Sequence, residues 1–248
     1  MSQTIAADTR RTVSANAIQR LLSVVNGVDY RRISTPEDFE DVGLLRRKAF
    51  NARDVYERKF ESPVIEPLDF DPDTYLFGLY HEGNLVSSMR LNMLTAETPP
   101  TPAMELFADT LQPLLAQGMT FVDPSRFAID AEASRLLPAL PLLTHRLSTM
   151  MTLHMQADYC LCAVKLEHEA YYRRVFGATR LAGPFEPDGM CVKAVLLGIS
   201  RNNVGYVMSR NPLFYFTETE ARLLFDRSED VLPPLCVHPT AQYAIRAA

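Results

Sequence analysis

The sequence predicts a mixed α/β protein in which one central sheet is covered by helices on both faces. Two observations lead there. Runs of β-type residues at 74–94, 121–130, 159–164 and 190–199 are interleaved with segments whose apolar residues recur at helical spacing, so strands and helices alternate along the chain. And 248 residues, 47% hydrophobic and 22% charged, are enough to bury a large core, as one large domain or one domain with extensions, without disulfide or metal staples.

Taken in order, residues 1–12 read as a frayed start. VSANAIQRLLSVVNG is a short helix stopped by Gly27, and YRRIS is a first strand. STPEDFEDVGLLRRKAFNARDVY opens with a helix start signal: Thr35 as cap, Pro36 at the first helical position, Glu37 and Asp38 in the first turn. DTYLFGLYHEGNLVSSMRLNML is a hairpin turning at His81-Glu82-Gly83-Asn84. A proline-rich stretch leads into a short helical pattern, AMELFADTLQPLL, and FVDPSRFAID comes next as a strand. ALPLLTHRLSTMMTLHMQA is a long apolar helix, DYCLCAVK a strand, EHEAYYRRVFG a helix closed by Gly177, and MCVKAVLLGI a final strand. The tail is less regular, with one helix start at Thr217, where Glu220 three residues on predicts a capping box.

Composition and motifs exclude several classes. The net charge of −5 argues against nucleic acid as the main partner. The polar N-terminus lacks the apolar region of a signal peptide, and no apolar stretch is long enough to span a membrane. Cys160, Cys162, Cys191 and Cys236 lack paired metal spacing and read as reduced thiols of a cytoplasmic protein. There is no Gly-rich phosphate loop, zinc spacing or G-x-S-x-G elbow, and no cofactor is expected.

What remains is charge set beside apolar runs in LRRKAF, DFDPDTYLF, SSMRL, DPSRFAID and EHEAYYRRVFG. Singly, each has an ordinary reading: a solvated helix face for Arg46 and Arg47, turn formation for Asp71 and Asp73, snorkelling for Arg90, a helix start for His168, a local ion pair for Asp123 and Arg126. Jointly they point to a site, because buried charges occur mainly in pairs and at functional centres.

With these segments the chain resembles the acyl-homoserine-lactone synthases and the related N-acyl amino acid synthases, both of GNAT type. The lactone synthases carry Arg-x-x-x-Phe in their first helix, matched by Arg46 and Phe50, and a Trp six residues later, where this chain has Tyr56. Their acidic residues before a Tyr-Leu strand are matched by Asp71 and Asp73, and their Gly-x-x-Arg-Leu strand by Ser87 to Leu91, with Arg90 kept and the glycine lost. Their Glu-x-Ser-Arg-Phe becomes Asp123-Pro124-Ser125-Arg126-Phe127. The Trp and Glu belong to enzymes whose acceptor is S-adenosylmethionine, and both are replaced here. His168, Tyr172 and Gly177, followed by CVKAVLL, look like the second half of N-acyl amino acid synthases.

The resemblance covers about residues 30–200 and implies a GNAT-like domain there, with 1–29 as an N-terminal extension carrying a short helix and 201–248 as a C-terminal extension packed on the domain. It implies transfer of a long-chain fatty acyl group from a thioester to the amine of an amino acid. Asp123 is then the candidate base, and backbone N–H groups within Phe127–Asp130, chiefly of Phe127 and Ala128, are the oxyanion donors. Arg126 either holds an acceptor carboxylate or buttresses Asp123, and Arg46, Phe50, Tyr56, Asp71, Asp73, Arg90, Ser125, His168 and Tyr172 are candidate substrate contacts. Coenzyme A-using relatives carry an Arg/Gln-x-x-Gly-x-Gly/Ala loop after this strand; AIDAEASRLLPALP has no glycine, so acyl carrier protein is the expected donor. Carrier proteins are acidic, so two basic clusters are candidate docking surfaces: Arg46, Arg47, Lys48, Arg53, Arg58 and Lys59, and Arg173, Arg174 and Arg180. Met150, Met151 and Met155 either pack the core or line a lipid slot. The alternatives are a lactone synthase with altered acceptor residues and a non-catalytic GNAT-like module binding lipid or protein.

Overall fold

The computed structural model describes residues 15–53, 55–98, 100–227 and 235–247; the start at 1–14 lies outside the described residues. Helix α1 (Ala15–Asn26) stops at Gly27, whose N–H reaches the Ser23 and Val24 carbonyls, and strand β1 (Val28–Arg32) comes directly after. Helix α2 (Pro36–Asn51) starts as its sequence dictates, with Thr35 and Asp38 exchanging side-chain and backbone hydrogen bonds. Strands β2 (Thr74–His81) and β3 (Asn84–Leu94) form the expected hairpin; its turn places Glu82 at φ 51° and Gly83 at φ 80°, the left-handed pair a tight hairpin requires.

Next come α3 (Pro102–Ala116), bent at Phe107, then β4 (Phe121–Ile129), the short α4 (Ala131–Leu136), α5 (Leu140–His154) and β5 (Tyr159–Lys165). Helix α6 (Glu169–Phe176) ends at Gly177, whose φ of 63° suits a residue without a Cβ. Strands β6 (Thr179–Phe185) and β7 (Ala194–Ser200) complete one side of the sheet. The run from Met190 becomes a strand only at Ala194, and β6 was hidden in the sequence by Gly183 and Pro184. The tail is more regular than its sequence suggests: α7 (Arg201–Arg210), α8 (Glu218–Phe225), β8 (Cys236–Val237) and α9 (Ala241–Ala247). At the start of α8, Thr217 accepts from the Glu220 N–H as expected, but the Glu220 carboxylate turns away to Arg146 and Thr240, so the box is not reciprocal.

The eight strands form one sheet in the order β6-β7-β5-β4-β3-β2-β1-β8. All neighbours are antiparallel except β4 and β5, which are parallel and paired only at Phe121–Tyr159 and Val122–Cys160. Beyond that point the two strands splay and leave a gap in the middle of the sheet. One face is covered by α2 and α3, packed on residues such as Leu76, Leu94, Phe121 and Leu161. The other holds the main core, where α5 packs with α7 and α8 over Phe77, Met89, Val122, Cys160 and Leu197. Helix α5 is covered on nearly every side, so its Thr144, Ser148, Thr149 and Thr152 hydroxyls bond back to carbonyls one turn earlier. Met150 and Met151 are fully buried in this core and Met155 packs against it. The four cysteines are free thiols. Among the described residues no helix is long and apolar enough to cross a membrane.

Candidate active site

The gap between β4 and β5 opens into a cavity of about 290 Å³ that runs from one face of the sheet to the other. Strand alternation sets its two ends. On the α3 side lie Asp123, Leu161, Ala163 and Ala194 with Ala103 and Leu106; on the α5 side lie Met89, Phe127, Cys162 and Val164 with His145, Ser148 and Tyr172. Phe50, Arg53, Tyr56, Ser125, Arg126, Lys165 and His168 also line it. A more open hollow of about 500 Å³ between Phe39, Pro63 and Phe70 has only Glu40 as a charged group and none of this chemistry.

Strand β4 is deformed where it meets the cavity. Ser88 aligns with Ala128 and Arg90 with Ser125, so Arg126 and Phe127 together oppose Met89: a β-bulge. Arg126 sits at φ 52°, a left-handed conformation that costs a non-glycine residue on the order of 1–3 kcal/mol. The bulge aims the Arg126 guanidinium at Glu66, which it grips through Nε (2.8 Å) and, more closely, Nη2.

Glu66, which precedes a 3₁₀ turn at Pro67–Phe70, and Asp69 within it hold a chain of buried ions. Arg46 grips Asp69 with both guanidinium nitrogens (2.7 and 3.0 Å), and Arg90 reaches Glu66 (2.9 Å), Asp69 (3.2 Å) and the Ser125 hydroxyl (3.0 Å). Three guanidiniums face two carboxylates, leaving one positive charge in excess. Burial raises the Glu66 pKa, but Arg126 and Arg90 outweigh it and hold the carboxyl down at about 2. Asp123 stands apart. It is almost fully covered, with Oδ2 accepting from the Ala103 N–H (3.0 Å) in the first turn of α3, and burial pushes its pKa up against the pull of Thr101, Ala103, Arg90 and Arg126.

Of the sequence candidates, the structure therefore brings Phe50, Tyr56, Asp123, Ser125, Arg126, Phe127, His168 and Tyr172 to the cavity wall. Arg46 and Arg90 lie behind the wall in the ion chain; Arg46 is completely buried and so takes no part in a surface patch. Ala128 packs under α2 against Phe50, with its carbonyl bonded to the Ser87 hydroxyl. The Asp130 N–H is occupied by the Val86 carbonyl, whereas Phe127, in the bulge, has no register partner on β3. Asp71 and Asp73 lie outside: Asp71 caps the Asp73 N–H, and Asp73 pairs with Arg227. The methionines of α5 do not line the cavity; Met89 and Met190 do. Sequence reasoning missed Glu66, Asp69 and His145. The first two had a signal in their i, i+3 spacing around Pro67; His145 had none, since a histidine in an apolar helix reads as core.

A parallel pair splayed in mid-sheet, a cavity through the gap, a buried carboxylate at one end and an uncharged slot at the other define an N-acyltransferase of the acyl-CoA N-acyltransferase-like fold. Residues 41–200 match the family described as N-acyl amino acid synthase FeeM, and the chain belongs to that family. The structure is similar to that of FeeM, an N-acyl amino acid synthase from uncultured soil microbes (TM-score 0.57, 17% identity, covering 71% of this chain and 92% of that one). It is similar to BjaI, a coenzyme A-dependent acyl-homoserine lactone synthase (0.55, 16%, 90% and 100%), and to the acyl-homoserine lactone synthase LasI (0.51, 17%, 83% and 98%). No curated protein sequence matches the chain.

Proposed function

We propose that the protein transfers a fatty acyl group from acyl carrier protein to the amine of an amino acid. The observation that carries this reading is the cavity through the sheet, with a carboxylate at one end and uncharged side chains at the other. The acceptor enters on the α3 side. Its carboxylate is drawn by the excess positive charge of the ion chain and by Arg53, which lines the cavity and makes no ion pair among the described residues. With Arg126 committed to Glu66, Arg53 is the better placed of the two to bind that carboxylate. Asp123, whose raised pKa makes it a stronger proton acceptor than an ordinary aspartate, takes a proton from the ammonium group, directly or through a water. The free amine attacks the thioester carbonyl, and the oxyanion that forms is held by the Phe127 N–H in the bulge. Collapse of the intermediate breaks the C–S bond; the attacking nitrogen gives up its second proton as the amide forms, and that proton neutralises the departing thiolate.

The donor reading rests on the segment immediately after β4. The N-terminus of α4 is already capped: Asp130 Oδ1 accepts from the Glu132 and Ala133 N–H groups (both 2.9 Å), and Lys48 pairs with Oδ2 (2.6 Å). A carboxylate on those N–H groups leaves no cradle for the coenzyme A pyrophosphate. Around the cavity, Arg53, Lys165 and His168 are basic, Asp123 is the one acidic lining residue among the described residues, and Arg173 and Arg180 converge on Glu169 nearby on α6. Such a rim suits an acidic carrier.

The test is incubation with acyl carrier protein charged with a fatty acyl group, and separately with the acyl-coenzyme A, against a panel of amino acids and S-adenosylmethionine, read by mass spectrometry. An N-acyl amino acid formed faster from the carrier thioester is expected. A lactone product would overturn the acceptor assignment, and equal use of the two donors would overturn the carrier assignment.

A further inference from the structure

His145 lies at the α5 end of the cavity, where an acyl chain would run. Its face packs on the Phe127 ring (centroids 4.9 Å apart), and its Nε2 shares a hydrogen bond with the Tyr172 hydroxyl (3.4 Å). The only other ring nitrogen, Nδ1, has no partner among the described residues. Burial alone pushes its pKa down to about 4, so the imidazole is neutral at physiological pH and carries one donor and one acceptor. Ser148 and Cys162 join it on the same stretch of wall.

A saturated hydrocarbon chain in this slot would cover His145, Tyr172 and Ser148 without giving the open ring nitrogen a partner. Buried polar groups are normally satisfied, and leaving one unpaired is costly. The position of the set is informative as well. His145 touches Phe127, whose backbone N–H is the proposed oxyanion donor, so the polar wall faces the first carbons of the chain rather than its tail.

We infer that His145, with Tyr172, forms a specificity subsite for an acyl chain carrying a hydroxyl or keto oxygen close to the thioester, rather than for a plain saturated chain. Either tautomer of the ring serves, since a hydroxyl both donates and accepts. The inference rests on the acyltransferase reading, which places the acyl chain at this end. It predicts discrimination by chain chemistry, because a site built to hydrogen-bond a substrate oxygen rejects the analogue lacking it more strongly than an apolar pocket rejects an added oxygen.

The experiment compares decanoyl, 3-hydroxydecanoyl and 3-oxodecanoyl thioesters of one carrier protein by kcat/KM, and decanoic with 3-hydroxydecanoic acid by calorimetric binding. In the wild type an oxygenated chain is expected to be preferred on the order of ten-fold in both measurements. In His145→Phe that ratio should collapse towards one, and in Tyr172→Phe it should shrink. A wild-type protein that uses or binds the unsubstituted chain equally well overturns the inference, as does a His145→Phe variant that keeps the full ratio. Should the variants fail to fold, the wild-type comparison decides alone. The two readings also fail separately: tighter binding of the hydroxy acid with no turnover of any thioester defeats the transferase reading and upholds the subsite, while turnover without preference does the reverse.

Discussion

At the scale of single residues, Asp123 and Glu66 are carboxylates held in opposite states. Asp123 is buried with one backbone N–H on Oδ2, and its pKa is raised above the ordinary 3.8. Asp123→Asn keeps an oxygen for the Ala103 N–H but removes the proposed proton acceptor, so turnover at saturating substrate should fall about 10²–10⁴-fold with little change in melting temperature. In the wild type the acidic limb of the rate profile should lie above pH 3.8, since protonating the raised carboxyl stops the reaction. Full activity in Asp123→Asn would remove it from the mechanism. Glu66 has its pKa lowered from 4.5 to about 2, so it contributes stability above pH 4.5 that is lost as pH falls towards 2. Glu66→Gln should flatten the acid dependence of stability in that window, measured by denaturant unfolding at several pH values. Ser125, Arg126 and Phe127 were legible in the sequence because they are contiguous. Glu66 and Asp69 were not, because acidic residues stand at 66, 69, 71 and 73, and only the 3₁₀ turn decides which pair faces inward.

At the scale of elements, sequence signals located helix ends and strands well where caps and alternation are local: Thr35 for α2, Gly177 for α6, the turn between β2 and β3. They failed for β6, whose glycine and proline break the pattern, and for the two-residue β8, whose strand character comes from pairing with β1. They also could not separate the arginines of α2. Arg46 faces inward to Asp69, while Arg47 faces solvent and reaches the Glu61 carbonyl. Arg46→Ala should therefore destabilise the protein by about 3 kcal/mol, since it breaks a buried bidentate ion pair and leaves Asp69 to Arg90 alone, and report nothing about docking. Docking is better tested at Arg58 and Arg174, which are exposed and make no ion pair among the described residues. Reversing both to Glu should raise the KM for acyl carrier protein with kcat little changed, and added salt should weaken the wild type more than the variant. A salt-independent KM would place carrier docking elsewhere or rule it out.

At the scale of the whole molecule, the sheet and its main core draw on the full described chain. Leu213, Phe214, Leu224, Phe225, Val237, Ala241 and Ile245 are buried in the same cluster as Phe77, Met89 and Leu147. The tie is also ionic. Arg146, on the helix that carries His145, is fully buried against Glu220 of α8 (2.7 Å) and the Tyr215 carbonyl, and Glu220 in turn accepts from the Thr240 N–H (3.0 Å). None of this was legible from residues 201–248 alone, because the apolar positions there are spread over short elements and acquire meaning only when α5 supplies the surface they cover. A chain ending at residue 200 would expose that surface of α5 and leave the Arg146 guanidinium buried without its carboxylate. It should accumulate as an insoluble or unfolded product. The milder probe is Glu220→Ala, which should cost about 3–5 kcal/mol in denaturant unfolding by stranding Arg146. Because Arg146 and His145 are neighbours on α5, one held by the tail and the other lining the cavity, the damage should reach the cavity: folded Glu220→Ala protein should lose part of its discrimination among acyl chains while Asp123-dependent proton transfer, on the far side of the sheet, is kept. A soluble, active chain lacking residues 201–248 would show that α5 holds its place without them.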